Sequence, residues 1–125
     1  MTRSRVDDLQ VFQRAYELSL DIHRASLDLP QVEQFALADQ IRRASKSICV
    51  NLAEGYAKRV YSQPEFKRFL LMALGSSDEM QIWCRYLADL EYVDRQRANL
   101  WQTRYQAVSA MLNSLLQKVL GVAES

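Results

Sequence analysis

Apolar residues recur along this chain at alternating steps of four and three positions, in four separate stretches. The first stretch runs through Val11, Ala15, Leu18, Ile22 and Ala25. Residues three or four positions apart lie on the same face of an α-helix, so each stretch predicts an amphipathic helix with one buried side. The predicted helices cover about residues 8–27, 35–56, 63–91 and 94–120.

The three later stripes repeat the same spacing. Their members are Leu37, Ile41, Ala44, Ile48 and Leu52, then Phe66, Leu70, Ala73, Ser77, Met80, Cys84 and Leu87, and finally Trp101, Tyr105, Val108, Leu112, Leu115, Val119 and Val122. An average step of about 3.5 residues suits the shallow crossing angle of helix bundles. We therefore predict an all-α fold, an antiparallel up-and-down four-helix bundle, with residues 1–125 in a single domain.

Local signals mark the ends of these helices. Pro30 disfavours helical geometry in the residue before it, so the first helix is expected to end there. Gly55 lies near the end of the second helix, where glycine suits a left-handed capping residue. Ser62 is the expected N-cap of the third helix, with Pro64 in its first turn and Glu65 at the capping-box position.

The predicted helices carry more apolar residues than one bundle can bury. Helix one has a second stripe at Leu9, Phe12, Tyr16 and Leu20, and helix three has apolar residues around much of its circumference, namely Phe66, Phe69, Met72, Met80, Ile82, Trp83, Tyr86 and Leu90. Exposed apolar patches usually mark interfaces, so we expect a homo-oligomer. The alternative is that residues such as Ile82 and Tyr86 are scattered on the surface.

The residue types needed for catalysis or metal binding are sparse. Cys49 and Cys84 are the only cysteines, and each lies in an apolar stretch, where a buried thiol is expected rather than a disulfide or a ligand. His23 is the only histidine, and a di-iron or di-manganese bundle needs two Glu-x-x-His pairs. The adjacent acidic residues Asp78 and Glu79 point to different helix faces. We predict no catalytic, cofactor-binding or metal site.

Charge is distributed unevenly, although the net charge is only +1. Residues 42–68 hold seven basic side chains against Glu54 and Glu65, a local net charge of +5. Such a region could contact RNA or DNA, and the alternative is a set of solvated helix faces and a loop. The candidate nucleic-acid contacts are Arg42, Arg43, Lys46, Lys58, Arg59, Lys67 and Arg68. No apolar run is long enough to span a bilayer or to form a signal peptide, so we expect a cytoplasmic protein without a membrane partner.

Five residues break the apolar pattern where helices two and three would meet: Asn51, Glu54, Gly55, Gly75 and Ser76. Buried polar groups cost free energy unless they are hydrogen-bonded, so one interpretation is that these residues fix how the two helices pack. The other is a partner-binding groove at this end of the bundle. Gly75 costs ~1 kcal/mol relative to alanine inside a helix, which indicates either a close approach of two backbones or an exposed, neutral position.

Four segments of the chain resemble the four-helix-bundle proteins encoded in ribosomal-RNA intervening sequences. They lie within residues 7–94 and read DLQVFQRAYELSLDIH, ADQIRRASKSICVNLAEGYAKR, EFKRFLLMALGSSDEM and LADLEYVD. The resemblance implies a bundle without enzymatic activity that forms a ring-like homo-oligomer, a pentamer. The chain is also similar to accessory proteins of diversity-generating retroelements, which are basic pentameric bundles that bind nucleic acid and a reverse transcriptase.

Two functions follow as hypotheses. The first is a non-enzymatic, oligomeric helical bundle that acts as a binding or scaffold protein, with further copies of the chain as partners. The alternative is an accessory protein that binds RNA or DNA through the basic region 42–68, together with a protein such as a reverse transcriptase. An enzyme would have to rely on His23 and Glu54, which form no recognised catalytic arrangement.

Overall fold

The computed structural model describes residues 5–121 and contains four α-helices in that part of the chain. They are α1 (Gln10–Ser26), α2 (Leu37–Lys58), α3 (Gln63–Asp89) and α4 (Arg95–Leu120). Short 3-10 turns at Val6–Asp8 and Gln31–Glu33 precede α1 and α2. The described residues include no strand, so the predicted all-α class is confirmed. None of these helices combines the length and apolar composition needed to cross a membrane.

Each helix packs against two others, as in a four-helix bundle. Helix α2 contacts α1 and α3, and α4 contacts α3 and α1, so α1 and α3 lie at opposite corners. Ser47 of α2 meets Ser76 of α3, and Gly55 of α2 meets Phe69 of α3. Residue numbers in these pairs rise along α2 and fall along α3, which is the order that the predicted up-and-down arrangement requires.

The predicted stripes form the core of the bundle. Every member of the first three stripes is buried, and so are the first four members of the α4 stripe. Ser77 is the polar member of the third stripe, and its hydroxyl donates to the carbonyl of Tyr105 at 3.1 Å. Leu115 and Val119 are half-buried at the edge of the core, where Leu116 is buried instead. Val122 lies outside the described residues.

Both cysteines are free thiols in this core, as their positions in apolar stretches predicted. Burial raises the pKa of Cys49 to about 11 and that of Cys84 to about 12. Because the thiolate is the reactive form, both side chains are chemically inert at neutral pH.

Helix ends follow local sequence in some places and tertiary contacts in others. The hydroxyl of Ser62 accepts a hydrogen bond from the backbone of Glu65 at 3.2 Å, which confirms the predicted N-cap of α3. The predicted cap at Gly55 is wrong, because α2 continues to Lys58. A left-handed glycine cap is present at Gly121, where φ is +70° at the end of α4.

Candidate functional site

A short chain of hydrogen bonds joins α2 to α3. The buried amide of Asn51 donates to the carbonyl and hydroxyl oxygens of Ser47, both at 2.9 Å. The hydroxyl of Ser76 donates to the Ser47 hydroxyl at 3.0 Å. An unpaired buried amide would cost ~1–3 kcal/mol, so this arrangement uses Asn51 and Ser76 in helix packing. Ser47 was not among the five candidate residues, although its i, i+4 spacing from Asn51 could have suggested the hydrogen bond.

The two glycines that were candidates for close helix contact differ sharply. A Cβ atom at buried Gly55 would lie 2.7 Å from the Cβ of Phe69, so α2 and α3 can approach this closely only with glycine there. Gly75 is exposed, and a Cβ there would meet nothing within 4 Å. Close approach within the subunit therefore occurs at Gly55 and not at Gly75. Glu54, beside Gly55, is exposed on α2.

The seven basic residues of region 42–68 do not form one surface. Arg42, Arg43 and Lys46 lie in the first half of α2, whereas the other four surround the connection between α2 and α3. The rise along α2 from Arg42 to Lys58 is ~24 Å at 1.5 Å per residue. We call the second group the turn cluster; it consists of Lys58, Arg59, Lys67 and Arg68.

Arg42 holds the connection between α1 and α2 together. Its guanidinium donates to the Ser26 hydroxyl at 2.9 Å, to the Gln34 side-chain oxygen at 3.2 Å and to the Gln34 carbonyl at 2.8 Å. The Gln34 amide in turn donates to the carbonyls of Ser26 and Leu29. A planar guanidinium with several donors suits this role. Arg42 is thus half-buried and engaged, and its neighbour Arg43 pairs with Asp39 at 2.9 Å.

Lys46 contacts the single histidine across the α1–α2 seam. Its ammonium lies 3.0 Å from Nδ1 of His23. Lysine has no acceptor, so Nδ1 accepts this hydrogen bond from the ammonium. The positive charge of Lys46 lowers the pKa of His23, and burial and the charges of Arg42 and Arg24 lower it further. His23 is therefore a neutral surface partner of Lys46 rather than a residue set beside a nucleophile.

The turn cluster combines positive charge with aromatic rings. The guanidinium of Arg59 lies 3.6 Å from the ring centroid of Tyr56, and that of Arg68 lies 4.6 Å from the centroid of Phe69. Arg68 also pairs with Glu65 at 2.8 Å. Lys67 is exposed, and so is Tyr61, with 83% of its surface accessible. This end of the bundle can present both cations and an aromatic face to an anionic partner.

Large apolar side chains are exposed along α3. Five of them form two groups, Leu71 with Met72 and Ile82 with Tyr86 and Leu90, and we call these five residues the α3 outer face. Each is between 44% and 51% exposed. The sequence predicted that Phe66, Phe69 and Met80 would add to the exposed apolar surface of α3. That prediction is wrong for these three residues, because they are buried within the subunit.

A second group of exposed apolar residues lies on α1 and α2. Tyr16 and Leu20 of α1 and Val50 of α2 are exposed, and half-buried Phe12 stacks on Tyr16 with ring centroids 6.0 Å apart. Ser19 of α1 lies beside Cys49 of α2, so the next residues, Leu20 and Val50, lie at a similar height along the bundle. We call Phe12, Tyr16, Leu20 and Val50 the α1–α2 outer face. The sequence did not single out Val50, because it is an isolated valine outside the apolar stripe of α2.

Within the described part of the chain, no group of three or more His, Cys, Asp or Glu side chains is placed to hold a metal ion. Most polar residues singled out from the sequence instead fall into three places: a packing contact between α2 and α3, a clamp on the α1–α2 connection, and the turn cluster. Arg43, Lys46 and Glu54 lie outside these three places on the surface of α2.

Comparison with known proteins identifies the family. A model of the 23S rRNA-intervening sequence protein family matches residues 7–114. No curated protein matches the chain significantly. The matched span includes α1, α2 and α3 and most of α4, together with the packing contact and the turn cluster. The chain therefore belongs to the 23S rRNA-intervening sequence protein family.

Proposed function

We propose that the protein is a non-enzymatic, homo-oligomeric helical bundle that acts as a binding or scaffold protein in the cytoplasm. The observation that carries this proposal is the pair of exposed apolar faces, the α3 outer face and the α1–α2 outer face. Apolar surface gains ~25 cal/mol for each Å² removed from water, so faces of this kind favour association. Monomeric proteins seldom expose large contiguous apolar patches.

The polar residues support the same proposal. Asn51 and Ser76 bond to Ser47, and Arg42 bonds to the α1–α2 connection, so their hydrogen-bonding groups already have partners inside the subunit. His23 has Lys46 as its neighbour. These groups stabilise the packing of the helices, which is consistent with a protein that acts through contacts of its outer surface with partners. The resemblance found in the sequence points to a ring of five copies.

Light scattering during size-exclusion chromatography tests the oligomer. We expect a single species of five times the subunit mass of 14.5 kDa at micromolar concentration. A different multiple would retain the oligomer and change the ring size, whereas a clean monomer would overturn the proposal. A thermal-shift screen with divalent metals and common metabolites tests the absence of enzymatic ligands, and we expect no shift in melting temperature.

The turn cluster favours a second candidate function, the binding of RNA or DNA. Lys58, Arg59, Lys67 and Arg68 lie together at one end of the bundle, beside exposed Tyr61. Phosphate contacts from lysine and arginine supply most non-specific affinity for nucleic acid, and exposed aromatic rings stack on bases. Several copies in one assembly would multiply a weak single contact. A reverse transcriptase is the protein partner that the similarity to retroelement accessory proteins suggests.

A titration of labelled single-stranded RNA at two salt concentrations tests this candidate. The wild type should bind at low salt and lose affinity as salt rises. The double variant Lys58→Gln/Lys67→Gln should bind more weakly, and the control Arg43→Gln, a distant surface cation, should bind as the wild type does. No binding at low salt, or an affinity that does not change with salt concentration, would rule out nucleic-acid binding through the turn cluster.

A further inference from the structure

Three cationic side chains surround the single histidine at the seam between α1 and α2. Lys46 of α2 places its ammonium 3.0 Å from Nδ1 of His23 on α1. Arg24 follows His23 on α1, and Arg42 lies one turn before Lys46 on α2. Lys46 and Arg24 are exposed, whereas His23 and Arg42 are half-buried. We call Lys46, His23 and Arg24 the seam cluster.

The cations of the seam cluster have no acidic partner. Neither Lys46 nor Arg24 forms an ion pair with a carboxylate of residues 5–121, whereas the neighbouring Arg43 pairs with Asp39 at 2.9 Å. Like charges that lie close together without a counter-ion repel one another, and a bound anion removes that repulsion. The seam cluster is therefore arranged to attract a negatively charged group.

The same imbalance acts on His23. The charges that lower its pKa come from Lys46 and Arg42 of α2 and from Arg24 of α1. Within the described chain, none of the charges that shift this pKa comes from α4 or from the 3-10 turn before α1, the other elements that pack against α1. A negative charge bound beside the ring would offset the three cations and favour the protonated imidazole.

The donors of the seam cluster suit an oxyanion. Because Nδ1 of His23 accepts from Lys46, the neutral ring carries its proton on Nε2. Protonation turns Nδ1 into a second donor, and an anion oxygen then accepts from both the ammonium and the imidazolium, in place of the hydrogen bond between them. Arg24 adds a guanidinium, which pairs well with phosphate. A tetrahedral phosphate group offers several acceptor oxygens to these donors.

We propose that the seam cluster binds a phosphate group and that His23 takes up a proton from solvent when the phosphate binds. The phosphate belongs to a free anion or to a nucleic-acid strand, which present the same chemistry. Because the bound state favours the proton, a lower pH favours the bound state by reciprocity. The site is separate from the turn cluster, since Lys46 precedes Lys58 by ~18 Å along α2 at 1.5 Å per residue. This proposal goes beyond the oligomeric function and does not depend on it.

The pKa of His23 reports phosphate binding directly, because a single histidine gives a single imidazole signal in an NMR titration. Inorganic phosphate, compared with sodium chloride at equal ionic strength, should raise this pKa by ~1 unit. Such a rise means ~10-fold tighter binding of phosphate to the protonated protein. Sulfate, which is also tetrahedral and does not titrate in this range, should have the same effect. An unchanged pKa with both anions, or an equal rise with acetate, would overturn the proposal.

Two substitutions on α2 provide the test and its matched control. Lys46→Gln removes the ammonium beside Nδ1, so it should raise the pKa of His23 without phosphate and abolish most of the further rise with phosphate. Arg43→Gln removes one positive charge from the same helix and should leave that rise intact. Both side chains are exposed, so both variants should fold, which circular dichroism checks. Equal rises in the two variants would overturn the site, since phosphate would then act on His23 without Lys46.

A last titration identifies the source of the phosphate. Single-stranded RNA is added to the Lys58→Gln/Lys67→Gln variant, in which the turn cluster is weakened. A rise in the pKa of His23 supports a site for strand phosphates, and a rise with inorganic phosphate alone supports a site for a free anion. No rise with either would overturn the proposal and leave the oligomeric function untouched, because the NMR readout does not depend on the number of copies in the assembly.

Discussion

Phe69 on α3 lies so close to Gly55 on α2 that a Cβ atom at Gly55 would sit 2.7 Å from the Cβ of Phe69. Real Cβ atoms do not approach each other to this distance, so the glycine sets the separation of the two helices. The contact lies near the turn cluster, because Lys58 follows Gly55 by about one turn and Arg68 precedes Phe69. Packing at Gly55 thus helps to fix where the cations of the turn cluster are placed.

The first prediction concerns this contact. Gly55→Ala should lower the free energy of unfolding by ~1–3 kcal/mol, because the added methyl group forces α2 and α3 apart. The matched control is Gly75→Ala, which adds the same methyl group where nothing lies within 4 Å. Better helix propensity should raise the stability of the control by ~1 kcal/mol. Urea denaturation measures both, and equal effects of the two substitutions would contradict the close contact.

The second prediction concerns the hydroxyl of Tyr105. Tyr105 is fully buried, and its hydroxyl has no hydrogen-bond partner within residues 5–121. A buried unpaired polar group costs ~1–3 kcal/mol, so Tyr105→Phe should raise the free energy of unfolding by ~1 kcal/mol. The control is Tyr92→Phe, which removes a hydroxyl that donates to Glu33 at 2.8 Å and should not stabilise the protein. Thermal or urea unfolding of both variants gives the comparison, and a destabilised Tyr105→Phe would show that the hydroxyl is satisfied.

The third prediction separates two neighbouring arginines. Arg42→Met should destabilise the protein by ~1–3 kcal/mol, because the Gln34 carbonyl and the Ser26 hydroxyl lose their donor. Arg43→Met removes only an exposed pair with Asp39 and should change stability by less than ~0.5 kcal/mol. Both substitutions remove one positive charge, so chemical denaturation compares them directly. Similar losses in the two variants would argue against a clamp at Arg42.

The fourth prediction concerns pH. The folded protein holds the pKa of His23 below its ordinary value of 6.5, chiefly through the charge of Lys46. As pH falls through 6.5, His23 becomes protonated in the unfolded chain while it is still neutral in the folded protein. The free energy of unfolding therefore decreases until the pH reaches the lower pKa of the folded state. His23→Gln should reduce this part of the acid dependence. Urea denaturation between pH 7 and pH 5 measures it, with Gln40→Ala as a neutral surface control. An unchanged slope would contradict the role of His23.

The sequence by itself determined the helices and most of the core. Steps of three and four residues are a local property of the chain, and they placed Val11, Ile48, Leu70 and Val108 in the interior before any packing was known. The cap at Ser62 was also predictable, because its hydroxyl bonds to a backbone group only three residues away. Family membership followed from the same segments, since motifs in order along the chain need no tertiary information.

Only the tertiary structure decided how these helices use their polar and surplus apolar residues. Gly55 and Gly75 look alike in sequence, but their roles depend on whether atoms of another helix lie beside them. The seven cations are close in sequence, yet a rigid helix rising 1.5 Å per residue carries them to two separate places. Likewise, Phe69 is buried and Tyr86 is exposed, although both are aromatic residues of one helix. Periodicity gives the direction of each side chain from its own helix axis, whereas the neighbour that it meets is set by the packing of the other three helices.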